Sequence, residues 1–137
     1  MRRKAELTII LPNYNSEFYL KETIKSIFSQ TYQKWKLIII DDNSNLNTKK
    51  ILEKYKKNKK VKIFYLNSNH GAAYCRNYAL KKIRSSYVAF IDSDDIWKKN
   101  KLKLQISFMK ENKYDFTYTS YETFGDKKKK VFPPEKL

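Results

Sequence analysis

The sequence predicts an α/β fold, a three-layer sandwich in which a mostly parallel central sheet carries helices on both faces. Short apolar runs typical of buried strands alternate four times with segments whose apolar residues recur at helical spacing. Strands that alternate with helices pair in parallel through right-handed crossovers. Three of the apolar runs also end in polar clusters, and sheets of this kind bind ligands at the carboxyl ends of their strands.

Length and composition indicate one globular domain with a strong positive charge. The chain has 137 residues, 41% of them hydrophobic, and a net charge of +16. Such a charge favours polyanionic partners, namely nucleic acid, nucleotide phosphates or an anionic membrane surface. The only cysteine, Cys75, excludes an internal disulfide and favours a reducing compartment. Since no apolar run resembles a signal peptide or a membrane span, we expect a cytoplasmic protein, with peripheral attachment to the inner face of the membrane as an option.

The first predicted strand covers Leu7–Leu11 and is expected to end at Pro12, which lacks a backbone donor. Asn15 or Ser16 can then cap a helix. The apolar stripe of that helix consists of Leu20, Ile24, Ile27 and Phe28.

The middle of the chain repeats the same alternation. A buried strand over Trp35–Ile40 precedes a helix near Thr48–Tyr55, for which Ser44 or Asn45 can serve as the cap. A third strand covers Val61–Leu66. One face of the third helix carries Ala72, Cys75, Ala79 and Ile83.

The last part of the chain begins with a strand over Tyr87–Ile91 and a helix over about Lys99–Glu111. Tyr114–Tyr121 alternates weakly, which predicts a fifth strand. We expect Gly125–Lys130 to be a solvated turn and Phe132–Pro134 to break regular structure.

The carboxylates that follow the fourth strand are candidate metal ligands. Asp92 and Asp94 are two residues apart and therefore point the same way in extended backbone. Two such carboxylates can share Mg²⁺ or Mn²⁺ and hold a diphosphate through it. The alternative is an acidic turn that caps the next helix, which the tetrapeptide alone would favour. Gly71 and Gly125 are the only glycines, so a glycine-rich phosphate loop is absent and a carboxylate-bound metal is the available substitute.

Polar clusters follow the other strands on the same predicted edge. The first strand leads into residues 12–15, the second into residues 41–44, and the third into residues 69–71 and then Arg76. One acidic strand end has an ordinary structural explanation, whereas several converging polar strand ends indicate a binding site.

Five motifs in order carry a resemblance to a known family. They are TIILPNYN at residues 8–15, SQTY at 29–32, IIDDNS at 39–44, NHGAAYCRN at 69–77 and FIDSDD at 90–95. Over residues 6–110 the chain resembles the nucleotide-sugar-binding half of bacterial family 2 glycosyltransferases. That resemblance implies the GT-A fold, which is Rossmann-like.

The resemblance assigns roles to residues of the first, third and fourth motifs. Pro12, Tyr14 and Asn15 would flank the nucleobase, with Tyr14 as a stacking face, although Tyr14 could instead be a core tyrosine. Asp42 would accept a hydrogen bond from a uracil-like ring N–H. Arg76 would reach the base or the diphosphate, unless it is simply a solvated arginine.

In the last motif Asp92 would approach the ribose, and Asp94, together with Asp92, would bind Mn²⁺ or Mg²⁺ between the phosphates. Ser93 belongs to the same donor-binding segment. Asp95 could instead cap the following turn.

The resemblance also implies a division of the chain and a reaction. Residues 1–110 would bind the nucleoside-diphosphate sugar, with UDP favoured, and residues 111–137 would begin a truncated acceptor-side region. Transfer would proceed with inversion to a glycan or lipid-linked acceptor in surface polysaccharide synthesis. No residue here is identified as catalytic, since the general base is expected beyond Leu137.

The alternative hypothesis is a basic module without catalysis that binds nucleic acid or a membrane surface. The lysines are spread along the whole chain and no nucleic-acid-binding signature occurs. We therefore expect no nucleic-acid partner.

Overall fold

The computed structural model describes residues 5–126 and 128–132, which form a four-stranded parallel sheet with helices and a separate two-stranded hairpin. The strands of the main sheet are β1 (Leu7–Asn13), β2 (Trp35–Asp41), β3 (Val61–Tyr65) and β4 (Tyr87–Phe90). The helices are α1 (Leu20–Phe28), α2 (Leu46–Glu53), α3 (Ala72–Leu80) and α4 (Lys101–Asn112). The order in the sheet is β3-β2-β1-β4. The predicted α/β class is therefore confirmed.

The strand β1 extends two residues further than the sequence predicted. Pro12 pairs in register with Ile40, and Asn13 pairs with Asp41. A proline is tolerated here because the pairing of β1 with β4 ends at Ile10, so no ladder partner on that side needs the missing N–H. The extension carries Asn13 to the carboxyl edge of the sheet.

Helices cover both faces of the sheet. On one face α1, α2 and α4 pack against alternate residues of β1 and β2, while α3 packs alone on the other face. The first core contains Leu7, Ile9, Leu11, Leu20, Ile24, Ile27, Trp35, Leu37, Ile39, Leu52, Ile91, Trp97, Leu102 and Ile106. The second contains Ile10, Ile38, Ile40, Cys75 and Ala79. Because β1 and β2 are buried on both faces, their sequences are nearly continuous runs of apolar residues.

The helix starts differ from the prediction in one case. Asn45 caps α2, since its side chain accepts a hydrogen bond from the backbone N–H of Thr48. In contrast, α1 begins at Leu20 without a side-chain cap, and the Ser16 carbonyl accepts from the N–H groups of Tyr19 and Leu20.

The predicted fifth strand over Tyr114–Tyr121 is wrong for most of its length. The structure has a short strand β5 at Tyr121–Thr123, paired antiparallel with β6 at Lys129–Val131. The alternating side chains of residues 114–120 have no core to face, so the pattern does not produce a strand. The predicted solvated turn is a hairpin turn whose last residues enter β6; Lys127 and Pro133–Leu137 lie outside the described residues.

Among the described residues, the helices are all too short and too polar to cross a bilayer.

Candidate functional site

A cavity of about 360 Å³ opens at the carboxyl edge of the sheet, between the ends of β1, β2 and β4 and the start of α3. Its walls combine carboxylates, one arginine and an exposed tyrosine ring. The lining residues are Pro12, Asn13, Tyr14, Asp42, Asn69, Gly71, Ala72, Cys75, Arg76, Asp92, Ser93 and Asp94.

A buried polar network joins the loops after β1 and β2. Asn13 Nδ2 donates to Asp41 Oδ1 at 2.8 Å, and the backbone N–H of Ser44 donates to Asp41 Oδ2 at 3.1 Å. The hydroxyl of Ser16 donates to Asn13 Oδ1. Asp41 is fully buried, so its charge is satisfied by these donors rather than by solvent. Asp41 therefore joins the loops after β1 and β2.

The neighbouring carboxylate, Asp42, fixes the start of α3. Its two oxygens accept hydrogen bonds from the backbone N–H groups of His70 and Gly71, at 2.8 and 2.7 Å. Gly71 has φ of 89°, a conformation that favours glycine, and it is the N-cap of α3. A carboxylate at a helix N-terminus is stabilised by the helix dipole. Asp42 is thus a structural anchor as well as a cavity residue.

Burial and the nearby Asp42 carboxylate raise the pKa of the Cys75 thiol to about 12. Cys75 is fully buried in the second core while also forming part of the cavity wall. This protonated thiol is a packing group and a poor nucleophile at neutral pH.

An ion pair crosses the cavity from α3 to the loop after β4. Arg76 Nη2 lies 2.7 Å from Asp92 Oδ1. The side chain of Arg76 is 35% exposed and that of Asp92 is 54% exposed. Arg76 is therefore held at the cavity rather than extended into solvent, and both charges remain accessible to a ligand.

Negative charge accumulates beside this ion pair. Burial, followed by the charges of Asp94 and Asp92, raises the pKa of the Asp95 carboxyl. The backbone N–H of Asp95 donates to the Asp92 carbonyl at 3.1 Å and closes a turn. The loop after β4 therefore carries three acidic side chains, of which Asp92 is paired with Arg76.

Helix α1 holds the acidic loop in place through backbone contacts. The Thr23 hydroxyl donates to the Ser93 carbonyl at 2.9 Å, and the Ser26 hydroxyl accepts from the Trp97 N–H at 3.1 Å. The amide of Gln30, which is only 2% exposed, donates to the Lys98 carbonyl and accepts from the Leu102 N–H. Thr23 and Ser26 belong to α1, and Gln30 lies two residues beyond its last residue, Phe28.

The structure brings most of the predicted site residues together. Those that line the cavity are Pro12, Tyr14, Asp42, Arg76, Asp92, Ser93 and Asp94. Tyr14 is 51% exposed, so the core alternative does not apply to it.

Asn15 departs from the predicted set because it is not among the lining residues. Its Oδ1 accepts from the Asn45 N–H at 2.7 Å, and its own N–H donates to Ser44 Oγ at 3.0 Å. Its φ of 44° lies in the left-handed region that asparagine tolerates. Asn15 therefore ties two loops together in this structure.

Sequence reasoning did not assign a role to several lining residues. Asn13, Asn69 and Gly71 belong to the strand-end clusters, so their position was the available signal. The role of Gln30 had no such signal, because a buried amide that binds only backbone atoms is set by the tertiary structure.

The site residues fit a divalent cation that also binds a ligand. Among the described residues there is no group of three or more histidine, cysteine or acidic side chains arranged to hold a metal by themselves. Mg²⁺ and Mn²⁺ take oxygen donors, and Mg²⁺ commonly uses one or two carboxylates together with water and substrate phosphates. Asp92 and Asp94 supply that number of accessible carboxylates.

A cavity at the carboxyl ends of parallel strands is where open α/β folds bind their ligands. The chain belongs to glycosyl transferase family 2, whose family model matches residues 8–136. The match confirms the resemblance read from the five motifs.

Similar proteins agree with this membership. The chain is 42% identical over 119 residues to the putative teichuronic acid biosynthesis glycosyltransferase TuaG of Bacillus subtilis, covering 86% of this chain and 47% of the relative. It is 41% identical over 121 residues to the Escherichia coli UDP-Glc:alpha-D-GlcNAc-diphosphoundecaprenol beta-1,3-glucosyltransferase WfgD, covering 88% and 47%. The chain thus spans about half the length of these relatives.

A solved structure confirms the fold. Staphylococcus aureus TarS residues 1–349, in complex with UDP, superposes with a TM-score of 0.71 at 36% identity. The superposition covers 77% of this chain and 32% of the TarS chain. The GT-A fold expected from the sequence is therefore confirmed.

Proposed function

We propose that this chain is the donor-binding part of a metal-dependent, inverting glycosyltransferase that uses a nucleoside-diphosphate sugar. The observation that carries the proposal is the convergence of Asp42, Arg76, Asp92 and Asp94 on one cavity at the carboxyl edge of the sheet. The cavity therefore presents one positively charged side chain and three carboxylates to a single ligand. A nucleoside diphosphate needs both, because its phosphates are anionic and its base and ribose carry N–H and O–H donors.

Different residues of the cavity would contact different parts of the nucleotide. Tyr14 offers an exposed ring for the base, and Asp42 retains acceptor capacity for a base N–H because each carboxylate oxygen has two lone pairs. Arg76 can turn from Asp92 to a phosphate, since their ion pair is exposed and weakly stabilising. Asp92 and Asp94 would hold Mn²⁺ or Mg²⁺. When bound, that cation supplies neutralisation of the charge on the diphosphate leaving group.

UDP is the favoured nucleotide, and the acceptor is a glycan or a lipid-linked glycan. WfgD is named for a UDP-glucose donor and a diphosphoundecaprenol acceptor, and TarS was solved with UDP. Both are family relatives at more than 30% identity. We extend these properties to this chain, with a role in surface polysaccharide synthesis at an anionic membrane.

The general base is proposed to lie outside the described residues. After α4, Glu122 is paired with Lys98 at 3.2 Å and Lys130 at 3.9 Å. The bond to Lys98 and the charges of both lysines lower the pKa of Glu122, which makes it a weaker base. We therefore assign residues 1–110 to donor binding and residues 111–137 to the start of the acceptor side.

Titration calorimetry with UDP, in the presence and absence of Mn²⁺, tests the donor site. We expect UDP to bind only when Mn²⁺ is present. In Asp94→Asn, adding Mn²⁺ should no longer increase the affinity for UDP, because the amide keeps the shape of the side chain but loses its charge. Asp115→Asn is the matched control, since Asp115 is exposed and does not line the cavity. Equal Mn²⁺-dependent affinity in Asp94→Asn and the parent would contradict the proposal.

A further inference from the structure

Helices on opposite faces of the sheet hold the acidic loop after β4 at two adjacent residues. From α3, on the face of the second core, Arg76 pairs with the side chain of Asp92 at 2.7 Å. From α1, on the face of the first core, the Thr23 hydroxyl donates to the main-chain carbonyl of Ser93 at 2.9 Å. The first contact holds a side chain, whereas the second holds the path of the chain between Asp92 and Asp94.

Packing alone does not account for the hydroxyl of Thr23. The residue is 0% exposed inside α1, where valine, with the same branched shape, would fill the same space. A buried hydroxyl costs free energy unless it has a hydrogen-bond partner. Threonine in a helix can find one locally, at a carbonyl three or four residues earlier, but this hydroxyl bonds a carbonyl 70 residues away in the sequence. Thr23 is therefore a specific tether between α1 and the loop after β4.

The tether restricts the direction in which the Asp94 side chain can point. The Ser93 carbonyl belongs to the peptide group that joins Ser93 to Asp94, and this group is planar. A hydrogen bond to the carbonyl therefore limits rotation of the whole plane from which the Cα of Asp94 extends. On the other side of the loop, the Ile91 N–H donates to the Ile10 carbonyl at 3.1 Å and ends the sheet contact. The relative placement of the two carboxylates depends on what holds the chain after that point.

We propose that Thr23 is a positioning residue for the metal site, because its bond to Ser93 sets the separation at which Asp92 and Asp94 can share one divalent cation. This inference rests on the proposed function. When a phosphate of the ligand takes Arg76, the ion pair with Asp92 is lost, whereas the Thr23 bond remains because Thr23 does not line the cavity. Removing an outer contact that orients metal ligands typically lowers metal affinity by about 10–100-fold.

Titration calorimetry with UDP at saturating Mn²⁺ tests the proposal. Thr23→Val keeps the shape of the side chain and removes its donor. We expect the affinity of this variant for UDP to fall by about tenfold or more, the lower end of the range for outer contacts. Thr23→Ser keeps the hydroxyl and should bind UDP as the parent does. Parent-like affinity in Thr23→Val would overturn the inference, and so would an equal loss in Thr23→Ser.

The matched control is Thr48→Val, which makes the same substitution in another buried helical threonine. Thr48 is also 0% exposed, and its hydroxyl donates to the Glu17 carboxylate at 2.9 Å, away from the residues that line the cavity. We expect its affinity for UDP with Mn²⁺ to match that of the parent. Equal losses in the two valine variants would show a general effect of removing a buried hydroxyl and would overturn the specific role of Thr23.

Uridine separates a misplaced metal site from a disturbed cavity. It has no phosphate, so it would contact Tyr14 and Asp42 without using the cation. Thr23→Val should therefore bind uridine as the parent does, even though its affinity for UDP with Mn²⁺ is lower. Equal fractional losses for uridine and UDP would show that the substitution disturbs the whole cavity, which would overturn the proposal.

Hydrogen exchange without metal or nucleotide examines the loop itself. The Asp95 N–H donates to the Asp92 carbonyl at 3.1 Å, and we expect it to exchange faster in Thr23→Val because the neighbouring tether is lost. Unchanged exchange would contradict the positioning role.

The parent protein separates this inference from the proposed function. If the parent does not bind UDP with Mn²⁺, the proposed function fails and this inference fails with it. If the parent binds UDP only with Mn²⁺ and Thr23→Val binds equally well, the donor site stands and only the role of Thr23 is refuted.

Discussion

The strands β1 and β2 contrast with residues 113–132, although both belong to one family domain. Every residue of β1 is buried, and its loop is joined to that of β2 by hydrogen bonds among buried side chains. None of the described residues between 113 and 132 is buried. The two regions therefore differ in how they are held in place. The first is fixed by buried packing, whereas the second makes exposed contacts such as those of Glu122 with Lys98 and of Thr119 with Lys101. Stability and the geometry of the strand-edge cavity should depend on the first region, and surface contacts should depend on the second.

The largest expected effect is a core truncation in β2. Ile39 is fully buried, and Ile39→Ala should cost about 2–5 kcal/mol of unfolding free energy, because it removes apolar contacts and leaves a cavity. Tyr121→Ala in β5 should change it by no more than about 0.5 kcal/mol, since Tyr121 is 61% exposed. Urea unfolding midpoints measure both. A comparable loss in Tyr121→Ala would show that the hairpin belongs to the cooperative core.

The next effect concerns the anchor of α3. Asp42→Asn replaces one of two acceptor oxygens by an amide nitrogen, which then faces an N–H donor of His70 or Gly71. We expect a loss of about 1–3 kcal/mol in stability, together with weaker UDP binding. Asp115→Asn is the control, because its carboxylate is exposed in the second region. Unchanged urea unfolding in Asp42→Asn would mean that the loop relaxes without cost.

The smallest effect lies just before β1, where Glu6 pairs with Lys110 of α4 and accepts a hydrogen bond from the Tyr32 hydroxyl at 2.8 Å. These bonds lower the pKa of Glu6 below its usual value of 4.5. The ionised carboxylate therefore stabilises the fold above pH 4.5, and this contribution is lost as the pH falls through the lowered pKa. Glu6→Gln should unfold at a lower temperature than the parent at pH 6, with the difference disappearing in acid.

The control for that experiment is Glu111→Gln, which removes an exposed carboxylate from the same helix. Its melting temperature should follow the parent at each pH. A constant difference between Glu6→Gln and the parent from pH 6 to pH 3 would refute the role of the ionised group.

The contrast between the regions also explains what the sequence could predict. The apolar runs of β1 and β2 and the stripe of α1 reflect burial directly, so their positions were predicted within a few residues. The strand-end clusters followed from topology, since parallel strands place their carboxyl ends together. Polar and apolar residues alternate over 114–120, but in the structure neither face of this segment is buried. Alternation predicts a strand only where one face packs on a core. The anchoring of α3 by Asp42 could not be predicted. It depends on the backbone N–H groups of His70 and Gly71 lying beside the carboxylate, which the spacing of residues in the sequence does not reveal.

The support of the acidic loop by α1 has a consequence for how the site can change. The hydrogen bonds of Thr23, Ser26 and Gln30 to residues 93–102 all go to main-chain atoms. Hydrogen bonds to the main chain do not depend on the exposed side chains of the loop, whereas Trp97 and Leu102 are buried in the first core. Exposed residues there, such as Asp94 and Ile96, can therefore be exchanged while the loop keeps its path. We therefore expect that the preference of the proposed site for donor and cation can be changed by substitution without altering the framework that positions the loop.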